Sequence, residues 1–366
     1  MVDRPIGAAL WAVLTGCSAA AGALTPPVAE GGGGVELTRV APGAYAAIRT
    51  EPLSLAVNAN SLFIVNQRDV VVVDAQFTRE ATLENLAALR RVTRLPVSVV
   101  INTHWHDDHV AGNQVYRDSF PQVRFVAHAD TRADLIARGR DNRRQQLQFA
   151  PAAAARFERL LASGLGIDST PASALERRSV ESAIRIIRRY VAEDSGFRET
   201  LPDSLFSSSL TIERGERRIE IRWLGRGNTR GDAVVFLPRE RVVATGDLLV
   251  HPIPFGFNSY PSEWIAVLDS VAALRPVALV PGHGPVMRDL GYLLQVRRML
   301  AVARDRVLAS AEAGDSASAT LRAVRLEDLG EQVAGDEKWM RTMFGMFFRA
   351  PVVQRLLEER TTGTLP

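Results

Sequence analysis

Seven consecutive residues, Thr103-His104-Trp105-His106-Asp107-Asp108-His109, hold three of the six histidines in this chain, with carboxylates between the second and the third. Neutral imidazole and ionised carboxylate at this density supply the lone pairs that a divalent metal site needs. The stretch follows Val97 to Ile101, an apolar run short enough for a buried strand, so it falls on a loop at a strand's carboxyl end, where α/β proteins place their chemistry. His104 and His106 are two apart on an extended segment and can turn to one side with Trp105 facing away. Asp108 and His109 follow too closely for all four side chains to converge on one ion. Two adjacent metals, one for each pair, is the simpler geometry.

At 366 residues the chain can bury a full-sized core in one large domain or two. A hydrophobic content of 46% with 23% charged residues fits a globular protein and excludes a disordered or multi-span membrane one. The net charge is only +3, Lys338 is the only lysine, and no basic face is interleaved with aromatics, so no nucleic-acid role is expected. Oligomeric state leaves no mark in the sequence.

Cys17 is the only cysteine, which excludes an intramolecular disulfide framework. It ends an apolar run that begins behind Arg4 and is too short for the roughly 20 residues of a membrane span, so residues 1–17 read as a secretory signal. Leu14-Thr15-Gly16-Cys17 resembles the bacterial lipobox, which implies lipidation of Cys17, a membrane anchor, and a place in the periplasm or cell envelope; ordinary cleavage between Ala19 and Ala23, and an uncleaved anchor or no export, are the alternatives. Residues 18–36, with four glycines in a row, read as a flexible linker.

Strand patterns recur at Ser61 to Val65, Val70 to Val73, Val97 to Ile101, Arg124 to Ala127, Ser209 to Ile212, Ile219 to Trp223, Ala233 to Leu237, Val242 to Ala244 and Val277 to Val280. Thr78 caps an expected helix to about Arg91, with Leu83, Leu86 and Leu89 at core spacing. Residues 131–200 read as a helical insertion in which Val180, Ala183, Ile184, Ile187 and Val191 share one face, while Ser262 to Leu274 and much of the chain beyond Leu290 are also helical. The expected body is 37–298, with a helical extension over 299–366.

His-x-His-x-Asp-His after a buried strand resembles the metallo-β-lactamase superfamily. Val72-Val73-Asp74, Gly112-Asn113, Thr245-Gly246-Asp247 and Pro281-Gly282-His283-Gly284 follow in the order of that family. The resemblance implies an α/β fold, a four-layer αββα sandwich with a metal pair at one edge. It implies His104 and His106 on the first metal, Asp108, His109 and His283 on the second, and Asp247 bridging both. Asp74 and Thr103 would orient the imidazoles by hydrogen bonds. One ligand departs from the pattern: Asn228, in Gly225-Arg226-Gly227-Asn228-Thr229, stands where the family usually has a histidine. Either the Asn228 amide oxygen ligates the ion or holds a metal-bound water, or a spare histidine (His251 or His128) substitutes, or only the second site fills.

The implied function is an exported hydrolase using one or two Zn2+ ions, in which a metal-bound hydroxide oriented by Asp108 attacks an ester, thioester, lactone or amide bond of a small-molecule substrate. Asp247 looks like the branches resembling glyoxalase II, which leaves β-lactamase as an alternative. An iron-dependent oxidoreductase of the same fold and a catalytically weak metal-binding envelope protein are two others. Phe255, Phe257, Tyr260 and Trp264 read as an apolar substrate wall, with Tyr260 as a candidate donor to substrate.

Overall fold

Short valine-rich runs bounded by turn residues build two sheets. The computed structural model describes residues 34–54 and 56–362; the expected signal segment and Cys17 lie outside them. The first sheet runs β1 (Val35–Ala41), β2 (Ala44–Arg49), β3 (Ser61–Val65), β4 (Val70–Val73), β5 (Val97–Ile101), β6 (Arg124–His128) and β7 (Ser204–Phe206) in spatial as in chain order. β1 to β4 are antiparallel, and β4 to β7 are parallel. The second is built from β8 (Ser209–Arg214), β9 (Arg217–Trp223), β10 (Ala233–Leu237), β11 (Val242–Val250) and β12 (Ala278–His283), in the order β12-β11-β10-β9-β8. Its strands are antiparallel except for the β11–β12 pair. Val35 and Glu36, read from the sequence as linker, already pair with Arg49 and Ile48.

Because side chains alternate along a strand, each central strand feeds two cores at once. Val71 and Val73 of β4 and Val99 and Ile101 of β5 meet Ile219, Val235 and Ala244 between the sheets. Val70, Val72 and Val100 face outward, onto α1 (Arg79–Arg90), which lies ahead of α2 (Asp107–Val110), and onto α3 (Asn113–Ser119), through Leu86, Leu89, Val115 and Tyr116. The second sheet turns Val234, Phe236, Val243 and Leu279 to the other helical layer. The architecture is the expected αββα sandwich.

Thr78 caps α1, its side chain accepting from Ala81 N. Leu83, expected in the core, is 44% exposed, because the buried stripe runs through Thr82, Asn85, Leu86 and Leu89 and leaves it past the edge. The insertion contains α4 (Ala129–Asp134), a π-helical turn (Leu135–Gly139), α5 (Arg140–Ser163) and α6 (Ala174–Ala192). Val180, Ala183, Ile184 and Ile187 are buried as the helical spacing requires, but Val191 is exposed and Tyr190 takes the inward position. α7 (Pro261–Ala273) and α8 (Gly291–Glu312) back the second sheet. The chain then continues through α9 (Ala317–Ala323), α10 (Glu327–Ala334), α11 (Lys338–Phe344), a second π-helical turn (Gly345–Arg349) and α12 (Ala350–Thr362). Among the described residues no helix is long and apolar enough to cross a membrane.

Candidate metal centre

The carboxyl ends of both sheets meet at one edge, joined by Ala233 N donating to Thr103 O at 2.7 Å. β4 ends in Asp74, β5 leads into the Thr103–His109 loop and α2, β11 carries Asp247, and β12 ends in His283. Asp74 is buried and takes a left-handed backbone conformation with φ 58°, which a short polar side chain tolerates best among residues other than glycine. Its carboxylate accepts from Thr103 N and Thr103 Oγ1, both at 2.7 Å, and stands 2.8 Å from His109 Nδ1. Thr103 Oγ1 is also 3.0 Å from His104 Nδ1. These contacts leave Nε2 of both rings to face the same interior.

There the side chains form two overlapping groups. His104, His109 and Asp247 present ligand atoms within 4.8 Å of one another, and so do Asp108, His109 and His283. His104 Nε2 lies 2.9 Å from His106 Nδ1, which adds His106 to the first group. Asp247 stands between them: Oδ2 is 3.7 Å from His104 Nε2, while Oδ1 is 3.2 Å from His109 Nε2 and 3.5 Å from His283 Nε2. Asp108 Oδ2 is 3.0 Å from His283 Nε2 and 3.4 Å from His109 Nε2. Gly282 leaves room for this: a Cβ there would come within 2.0 Å of Asp247 Oδ1.

The donors fit a cation. Both carboxylate oxygens of Asp247, His106 Nε2 and Asn228 Oδ1 are buried without a hydrogen-bond partner, and Nε2 of His109 and of His283 are likewise buried, facing carboxylates without the alignment of a hydrogen bond. Buried polar atoms of this kind are rare unless a ligand satisfies them. Burial, reinforced by His109 and His106, holds His104 well below the ordinary imidazole range, and burial lowers His106 to about 4, so both are neutral donors at neutral pH. Burial would also lower His109, but Asp108, Asp247 and Asp74 outweigh it and push that ring well above its ordinary value. Asp108, which burial alone would raise, is held well below its usual range by His109 and His283. The cluster carries an excess of negative charge that a cation would balance.

Asn228 is fully buried on the β9–β10 loop, its amide nitrogen donating to Phe255 O. That bond leaves its oxygen as the unpartnered end. Neither spare histidine joins the groups. His128 Nε2 lies 2.8 Å from Ser207 O, its Nδ1 accepts from Asp130 N, and its ring stacks on Trp223. The ring of His251 packs on Tyr292, 4.8 Å between centroids. Phe255 lies 5.4 Å from His283, backed by Phe347 at 4.9 Å from the second π-helical turn. Tyr260 is buried under Arg226, 4.3 Å from its ring, and lines a cavity of about 330 Å³ with Ser262, Glu263, Leu356 and Glu359.

The sequence reading did not single out Asn60. Its Nδ2 donates to Pro281 O at 3.0 Å and Gly284 O at 2.8 Å, its backbone N to Gly282 O at 2.7 Å, and its Oδ1 accepts from Arg49 N at 3.0 Å. This one residue clamps both sides of the His283 turn from the opposite sheet. A lone asparagine more than two hundred positions away leaves no local signal of such a role.

A family model described as the metallo-beta-lactamase superfamily matches residues 55–283, more than half of the chain. The chain belongs to this superfamily. Members of the metallo-beta-lactamase superfamily are metal-dependent hydrolases, and the histidine and aspartate groups above lie within the matched segment. A metallo-beta-lactamase type 2 from Bacillus sp. (strain 170) is 28% identical over 134 residues, 35% of this chain and 51% of the relative, and one from Bacillus cereus is 26% identical over 132 residues, 34% and 50%. The chain thus spans about half the length of the curated relatives it matches. Among solved structures, a metallo-beta-lactamase from Pontibacter korlensis superposes with a TM-score of 0.50 at 18% identity, covering 73% of this chain and 99% of that one. A stereoselective inverting sec-alkylsulfatase from Pseudomonas sp. reaches 0.63 at 17% identity, covering 91% of this chain and 51% of that one. These likenesses carry the superfamily fold.

Proposed function

We propose that the protein is a zinc-dependent hydrolase with a two-ion site, acting on an ester, thioester, lactone or amide bond of a small molecule. The observation that carries this reading is the division of Asp247, whose two unpartnered oxygens face His104 on one side and His109 and His283 on the other. His104, His106 and Asp247 would hold one ion, with the oxygen of Asn228 as the added donor, and Asp108, His109, His283 and Asp247 the other. Zinc held by such ligands lowers the pKa of a water and polarises a carbonyl oxygen.

The chain's own residues would do the rest. Asp108, whose side chain is 18% exposed against 7% or less for His104, His109, Asp247 and His283, meets the opening and would orient the attacking water. Asp74 fixes His109 through Nδ1 and leaves Nε2 as the donor. Phe255 beside His283 offers an apolar surface that would exclude bulk water from one side of the reacting group. Asn228 provides a neutral oxygen where an imidazole would bind zinc more tightly, so the ion at His104 and His106 should exchange more readily.

A second reading, hydrolysis of a sulfate ester, draws support from the alkylsulfatase likeness, which covers 91% of this chain against 73% for the Pontibacter lactamase. The β-lactam reading draws on the names of the Bacillus relatives. Export to the cell envelope with Cys17 lipidated completes the proposal, supported by Arg4 and the apolar run after it. Palmitate labelling of the full chain, compared with Cys17→Ala, tests that part. For the activity, carboxylic ester, thioester, lactone, sulfate ester and β-lactam substrates are assayed with and without chelator. Chelator-sensitive turnover of one class, lost in Asp108→Ala, is expected; turnover indifferent to both would sink the reading.

A further inference from the structure

Asp107 is the carboxylate of the histidine stretch to which the metal reading gives no task, and it is buried. It opens the single turn of α2, one residue before Asp108 and two before His109. Successive residues on such a turn project about 100° apart, so the rotation of the turn decides where Asp108 and His109 point. The far end of the turn is fixed from the first sheet: His109 O accepts from Ala75 N at 2.9 Å and from Asn102 Nδ2 at 3.1 Å. The near end is fixed from elsewhere. Asp107 Oδ2 accepts from the hydroxyl of Tyr190 at 3.1 Å, and Tyr190 belongs to α6 of the helical insertion.

Tyr190 is itself held by its neighbours. One ring face stacks on Phe77 at 4.3 Å with 8° between planes. The guanidinium of Arg143, from α5, stands 4.5 Å from the ring centroid and 3.6 Å from that of Phe197, and is tied to Asp194 at 3.1 Å. A phenol packed against both groups has little freedom to follow Asp107. It is a fixed donor to which the turn must conform.

We propose that Tyr190 is a positioning residue for the metal centre, holding Asp107 and thereby the orientation from which Asp108 reaches the ion shared with His109 and His283. The insertion is then a working part of the site. This rests on the metal reading above. Asp108 depends on both ends of the turn, whereas His109 is also anchored through its ring and carbonyl, so the ion bound by Asp108 is the one that should respond.

Metal-free full-length protein is titrated with Co2+ against a chromophoric chelator, and the visible Co2+ spectrum is recorded. Tyr190→Phe and Asp107→Ala should each weaken one of two equivalents by about 10-fold and change its spectrum, the scale on which outer ligand-orienting contacts act. Asp107→Asn, which keeps an acceptor for the phenol, should stay within about 3-fold of wild type. Val180→Ala, a cavity in the same helix remote from Asp107, should lower the melting point and leave affinity unchanged. The proposal is overturned if Tyr190→Phe binds both equivalents as wild type does, or if Val180→Ala loses as much affinity as Tyr190→Phe. Wild-type protein that binds no metal would instead overturn the reading beneath it.

Discussion

Asn60→Ala tests whether the two halves of the molecule are locked together at the metal edge. Alanine keeps the backbone bond to Gly282 O but removes three side-chain bonds, to Pro281 O, Gly284 O and from Arg49 N. Each is worth about 1 kcal/mol net, more where a buried group is left unpaired, so the loss should be about 3 kcal/mol. At about 2 °C per kcal/mol for a chain of this size, differential scanning calorimetry should record a fall of roughly 6 °C. The same bonds hold the turn that aims His283, so affinity for the ion it shares with Asp108 should fall about 10-fold in a competitive zinc titration. Asn60→Asp should be worse than alanine, because it sets a carboxylate oxygen against two carbonyl oxygens. A melting point within about 1 °C of wild type together with unchanged zinc affinity would refute the reasoning.

Gly282→Ala should cost most of the bound metal, since its Cβ would come within 2.0 Å of Asp247 Oδ1; elemental analysis of the purified variant reads the loss directly. Asn228→His should bind the ion on the His104 and His106 side roughly 10-fold more tightly in a chelator competition, imidazole being the better zinc donor. Burial alone would raise the pKa of Glu51, but the hydrogen bonds and charge of Arg49 prevail and hold it below its ordinary 4.5. Since the folded value is the depressed one, the pair's contribution is present above about pH 4.5 and is lost as pH falls below it. Glu51→Gln should therefore be less stable at pH 7 and show a flatter acid limb in urea melts between pH 5 and 3. Phe347→Ala, which removes the support behind Phe255, should lower stability by about 3 kcal/mol and raise KM for bulky apolar substrates more than for acetyl ones, measured across an ester chain-length series.

The elements legible in the sequence are those whose signal is local. Val70 to Val73 and Ala233 to Leu237 are apolar runs closed by Asp74 and Pro238, and both are strands over those residues. Thr78 announces the start of α1 through the bond it makes. The strand-like pattern that begins at Tyr45 covers β2, but β1 mixes exposed, half-buried and buried residues without a clean alternation and β7 has only three residues, so neither period nor length marks those two. Helical spacing alone places Leu83 and Val191 inward because it allows a stripe of several widths; contact with the sheet or the neighbouring helix chooses which edge is buried.

The same distinction holds at the site. His104, His106, Asp108 and His109 could be read together because they are consecutive in one loop. That Asp247 divides its oxygens between the two groups depends on the β11–β12 pairing, which brings Gly246 beside Pro281. Tyr190 and Asn60 reach the centre from 83 and more than 200 residues away, and nothing in their own neighbourhoods marks them. His128 and His251 carry the residue type of a ligand, yet their ring contacts are with Trp223 and Tyr292.

The central claim is that one carboxylate, Asp247, completes two adjoining metal sites. Elemental analysis of protein purified without added metal and then dialysed against zinc, wild type beside Asp247→Ala, tests it most directly. About two zinc ions per chain in the wild type and less than one in the variant are predicted. A wild type that holds none, or a variant that still holds two, would contradict the account.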